Sequence, residues 1–111
     1  MGRPGGEIPV EALMRFTAAE GRLYPMALTD PDGYRLATTL VGLVADELRR
    51  RGADVATVLE GRSELVGLVP RLAEKAGLDA SGIPAEAVAD AASALRCREL
   101  GATGSGAFGG A

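Results

Sequence analysis

The stretch from Asp30 to Gly52 limits the folds open to this chain more than any other. Asp30 precedes Pro31, and a residue before proline is pushed out of α geometry. That is where an N-cap residue belongs, with proline at the first helical position. Asp32 places a negative charge in the first turn, where the helix dipole favours it. Leu36, Ala37, Leu40, Val41, Leu43, Val44 and Leu48 then cover more than half of the circumference, so the helix is contacted on two sides. Arg49, Arg50 and Arg51 oppose the C-terminal dipole, and Gly52 can take the left-handed conformation that ends a helix. Asp46–Arg50 and Glu47–Arg51 are spaced as i,i+4 ion pairs in the favourable order. Gly42 costs about 1 kcal/mol against alanine, which points to a close helix crossing there. The predicted fold is all-α: a compact bundle of four to five helices around a central helix at about residues 31–51.

The flanking segments fill in that bundle. Residues 1–7 are a Gly/Pro-rich lead-in expected to be disordered, residues 8–100 a single helical domain, and residues 101–111 a flexible Gly-rich tail. A first helix begins near Ile8-Pro9. Val10, Leu13, Met14 and Thr17 recur in it at helical spacing, with Phe16 and Ala18 beside them. Pro25 should end it by Tyr24, leaving Arg22 to Leu28 to lie on the core. Asp54 caps a short segment, residues 55–60, which Gly61-Arg62 breaks. Ser63 reads as the cap of a helix over 64–76, striped by Leu65, Leu68, Val69, Leu72 and Ala76, with Pro70 kinking or splitting it. Gly77 and Leu78 form a C-terminal stop. The last helix runs from near Pro84 to about Leu100 on a thin apolar face of Val88, Ala91, Ala92 and Leu95.

Composition removes several functions. The 111 residues suit one domain, and the formal net charge of −3, with acids and bases interleaved, argues against a dedicated nucleic-acid binder. There is no histidine and one cysteine, Cys97. Within one chain this forbids a disulfide, the usual zinc ligand sets and every His-dependent triad. No cofactor is expected. The N-terminus has no apolar core of a signal peptide, and the longest apolar run, Leu36 to Ala45, is far short of the about 20 residues that span a bilayer. The expectation is a soluble cytoplasmic protein, and the wealth of Ala, Gly, Arg and Val points to a GC-rich bacterial genome.

The remaining motifs read more simply as structure than as sites. Asp30-Pro31-Asp32-Gly33 starts like a calcium loop, but Tyr34, Arg35 and Leu36 follow where oxygen ligands are needed. Arg49 to Arg51 with Arg62 could hold an anion, yet dipole and i,i+4 pairing account for them. Cys97 lies between Arg96 and Arg98 with no base or second thiol beside it, so a bystander thiol is the expectation. Asp54, Glu60 and Glu64 do not pair as a general acid and base.

The chain is therefore expected to be a small non-enzymatic helical module for protein–protein interaction, an adaptor or accessory subunit. Its partner is another protein or a second copy in a homodimer, with no nucleic acid, membrane or small-molecule substrate indicated. The candidate partner-binding residues are Arg22, Leu23, Tyr24 and Met26 around the first proline kink, and Leu36 and Leu43 on one side of the central helix. The alternative is a helix-turn-helix DNA-binding regulator using residues 54–76.

Overall fold

The computed structural model describes residues 9–110, with side-chain surroundings given for residues 9–101. The lead-in expected at residues 1–7 lies outside the described residues. Five helices follow one another: α1 (Val10–Thr29), α2 (Pro31–Arg51), α3 (Val55–Glu60), α4 (Arg62–Lys75) and α5 (Ala85–Gly110). Among the described residues there is no strand, and the architecture is the all-α bundle expected.

Local chemistry sets the bounds of α2. The Asp30 carboxylate accepts from the Gly33 amide at 3.1 Å, Pro31 occupies the first position, and Gly52 closes the helix at φ 66°. There the Gly52 N–H donates to the Arg49 carbonyl and the Ala53 N–H to that of Leu48. The same pair of bonds ends α4, from Gly77 to Glu74 and from Leu78 to Ala73. Both are Schellman endings, in which a left-handed glycine turns the chain back onto orphan carbonyls. Asp54 caps α3 by accepting from the Thr57 amide at 2.9 Å.

Two prolines sit inside helices, which corrects the early stop expected at Tyr24 and settles the choice left at Pro70. α1 runs through Pro25 to Thr29, and α4 through Pro70 to Lys75 without splitting. An internal proline costs about 3 kcal/mol, but each helix has apolar residues to bury on the far side of it. Met26 packs against the core beyond Pro25, and Leu72 and Ala73 do so beyond Pro70. Ser63 is not a cap either. α3 and α4 are joined by Gly61 alone, so α4 already begins at Arg62 and Ser63 is exposed in its first turn.

The core is built on α2 and α5 together. α2 packs against α1, α4 and α5, while α5 packs against all four other helices. Leu40, Val44, Val58, Val69 and Val88 are its largest fully buried apolar side chains. The face of α5 is broader than the thin stripe expected: Ala87, Val88, Ala89, Ala92, Ser93, Ala94 and Cys97 are all buried, whereas Ala91 and Leu95 are half-buried. Small side chains on nearly every side let neighbouring helices approach it from several directions. α5 also keeps helical geometry to Gly110, past the end expected near Leu100. No proline follows Leu100, and glycine weakens a helix without forbidding it.

Gly42 does not mark a helix crossing. A Cβ there would meet nothing within 4 Å, so its cost is not offset by close packing. Glu47 pairs with Arg51 as expected, but the rest of the arginine pairing differs. Asp46 pairs with Arg49 rather than Arg50, Arg50 and Arg51 share Glu47, and Arg62 pairs with Asp90 on α5.

Candidate functional site

α1 is apolar on two opposite faces, and only one of them meets the core. Ala12, Ala19 and Leu23 are buried, with Arg15 between them and Met26 half-buried beyond them. Half a turn away, Val10, Met14, Thr17, Gly21, Tyr24 and Leu28 recur in alternating steps of four and three residues, so they stack along one line of the helix. All six face solvent, with Val10 71%, Met14 65%, Tyr24 67% and Leu28 86% exposed. This overturns the reading of Val10, Leu13, Met14 and Thr17 as the stripe facing inward. The inner face is chosen by its small residues, which let α1 lie close against α5, and the bulkier line is left outside.

Leu13 and Phe16 widen the outer line toward α5. They line a groove of about 170 Å³ with Ala12, Ala91, Ala94, Leu95 and Arg98. On the other side of Phe16 a second groove of the same size is bordered by Glu20, Leu23, Tyr24, Tyr34, Thr38 and Val41. Weighting the exposed fractions of Val10, Leu13, Met14, Phe16, Tyr24 and Leu28 by side-chain areas on the order of 150–250 Å² leaves about 700 Å² in water. The share on the outer line alone, from Val10, Met14, Tyr24 and Leu28, is about 550 Å², at the upper end of the largest apolar patch a monomeric protein usually carries.

The candidates named from sequence separate in space. Tyr24 stands on the outer face. Arg22 is exposed and pairs with Glu86 of α5 at 3.4 Å. Leu23 lies in the core, and Met26, Leu36 and Leu43 are half-buried against it. Val10, Leu13, Met14, Phe16 and Leu28 were missed as surface residues. The signal for them was present: α1 carries two apolar lines half a turn apart, more than one core contact can cover.

The polar interior is structural. The Arg15 guanidinium reaches across the bundle, donating to the carbonyls of Val58 at 3.5 Å and Leu59 at 2.5 Å, to Ser93 Oγ at 3.4 Å and to Glu11 at 2.9 Å. It thereby holds the C-terminal end of the short helix α3. Ser93 Oγ donates in turn to the Ala89 carbonyl. Arg62 forks onto Asp90 at 2.8 and 3.0 Å, and Arg49 onto Glu99 at 2.9 and 2.7 Å. Among the described residues, every buried side-chain nitrogen or oxygen has a partner.

Shifted ionisations trace to these same contacts. Glu99 is held below the ordinary carboxylate range by Arg49, and Glu47 by Arg50 and then Arg51. Asp54 is lowered by the Thr57 amide it caps, and Asp79 by Ser81. Cys97 is buried, and burial pushes its thiol up despite Arg15 and Arg96 nearby. That is the setting of an inert thiol. Among the described residues no three His, Cys, Asp or Glu side chains converge to hold a metal ion. No helix among them is long and apolar enough to cross a membrane.

Comparison with family models, with curated proteins and with solved structures finds no match to this chain.

Proposed function

We propose that this chain is a small non-enzymatic module for protein–protein interaction, an adaptor or accessory subunit that docks through the outer face of α1. The observation that carries this reading is the uncharged line Val10, Met14, Thr17, Gly21, Tyr24 and Leu28, exposed along the whole helix on the side away from the core. Leu13 and Phe16 extend it into two apolar grooves. Aromatics and methionine are the residues enriched at interface centres, and Tyr24, Phe16 and Met14 supply them. The grooves flanking Phe16 are smaller than the roughly 300–1,000 Å³ of small-molecule sites, which favours a protein surface as the ligand. The lone buried thiol is compatible with a reducing cytoplasm.

The polar features support the same reading. Each shifted carboxylate is accounted for by an ion pair, a cap or a turn, with none left over for acid–base work. A DNA-reading role for residues 54–76 has weaker support. α4 turns Glu64 and Glu74 to solvent together with Arg71 and Lys75, and carboxylates on a recognition helix repel phosphate.

The test is a comparison of the intact chain with a Tyr24→Glu/Leu28→Glu variant in affinity purification from the native host. A stoichiometric protein recovered with the intact chain and lost with the variant supports the reading. Identical recovery with both, and equal solution masses, would overturn it.

A further inference from the structure

We infer that the occupant of the outer face of α1 is a second copy of this chain, the two α1 helices lying antiparallel across a two-fold axis. The inference rests on the reading of that face as an interaction surface and names what covers it.

The spacing is the first argument. Alternating steps of four and three residues form the seam by which two helices pack at a shallow angle, side chains of one fitting between those of the other. The seam crosses the whole of α1, whose 20 residues span about 30 Å.

The second argument is self-complementarity. With the axis at the middle of the helix, Val10 lies beside Leu28 of the second copy, Met14 beside Tyr24, and Thr17 beside Gly21. The large side chains then meet large ones toward both ends, and the two smallest meet where the helix axes come closest. A Cβ built on Gly21 meets nothing within 4 Å in the single chain, so the space over it is open to a neighbouring helix. A two-fold dimer uses one patch twice, and this patch answers itself in that orientation.

Charge and area agree. No charged side chain lies on the seam to orient a partner of different composition. Glu20 stands beside it and meets its own copy near the axis, a small like-charge cost that lowers affinity without changing the geometry. On the seam itself Val10, Met14, Tyr24 and Leu28 bring about 550 Å² of exposed large side chains per copy, below the about 800 Å² per partner of a standard specific interface and suited to a weak, concentration-dependent dimer.

The test is sedimentation equilibrium of the full chain over a range of concentrations, with cysteine cross-linking to fix the arrangement. The expected result is a mass rising from 11.3 kDa to twice that value. A Met14→Glu/Leu28→Glu variant is expected to stay at the single-chain mass with unchanged helical circular dichroism. Met14→Cys and Tyr24→Cys chains should cross-link when mixed and not when oxidised separately, because like positions lie about 15 Å apart along antiparallel helices. Glu20→Gln should tighten the association.

A chain that stays at 11.3 kDa at every concentration overturns the proposal. So does efficient cross-linking of Met14→Cys to itself, which requires parallel helices. If the chain is monomeric yet loses a stoichiometric foreign partner on Tyr24→Glu/Leu28→Glu substitution, the dimer falls and the interaction reading stands. If it is monomeric and the substitution changes nothing, both fall.

Discussion

Replacing Arg15 with methionine keeps the length and most of the volume of the side chain and removes its donors. In the folded chain that guanidinium serves the carbonyls of Val58 and Leu59, the hydroxyl of Ser93 and the carboxylate of Glu11, and only 8% of the residue is exposed. The two carbonyls are the decisive acceptors. They belong to the last turn of α3, a six-residue helix far too short to hold itself together in water. Ser93 keeps its bond to the Ala89 carbonyl and Glu11 is free to turn to solvent, so neither suffers much. A bond from a charged donor contributes about 1.5–3 kcal/mol, and leaving buried acceptors unpaired adds to the loss. Methionine returns some packing. The expected net destabilisation is about 2–4 kcal/mol, within the range that singles out broken buried networks. For a domain of this size that lowers the melting temperature by about 10–25 °C. Urea and thermal unfolding followed by circular dichroism measure it. Arg15→Lys should recover part of the loss, since it keeps the charge but not the fork that spans two acceptors. Backbone amide exchange should quicken first in α3. An Arg15→Met protein within about 0.5 kcal/mol of the parent would refute this account of the interior, because variations of that size are what surface positions give.

Other expectations follow from single features. Gly42→Ala should stabilise the fold by about 0.5–1 kcal/mol, since the position is helical and a Cβ meets nothing within 4 Å; a loss of stability in urea titration would restore a packing role for that glycine. Stability should be flat between about pH 6 and 8, because no histidine titrates there. Glu47, Asp54, Asp79 and Glu99 are held below their ordinary range in the folded state, so the unfolded chain binds protons first as pH falls. Their contribution is complete above about pH 5 and is lost progressively below about pH 4, which melting curves across that window will show. Cys97 should react with a thiol reagent only at the rate of unfolding, and a rapid reaction in native buffer would contradict its burial.

The features readable in the sequence are those whose causes are local. Asp30, Pro31 and Gly52 bound α2 through contacts within a few residues, and the same holds for Asp54 at α3 and for Gly77 and Leu78 after α4. Where the deciding partner is far along the chain, local pattern misleads. Pro25 reads as a stop and Pro70 as a kink or split, yet residues on both sides of each reach the same core, and that burial outweighs the local cost. Arg15 looks like a surface residue beside Glu11 until the fold brings Val58 and Ser93 to it, from 43 and 78 positions away. The outer face of α1 fails for a third reason. Periodicity locates an apolar line but not the neighbour it faces, and α1 has two such lines. The smaller residues, Ala12 and Ala19, went to the core because close approach to α5 requires them.

The claim that this outer face is covered by a second copy of the chain can be put to one measurement. Hydroxyl-radical footprinting of the full chain across a dilution series reports the solvent exposure of individual side chains. Met14, Tyr24 and Leu28 should be reactive in dilute solution and become protected together as concentration rises, while Arg35 and Thr39, on the exposed side of α2, stay reactive throughout. Equal reactivity of Met14, Tyr24 and Leu28 at every concentration would contradict it.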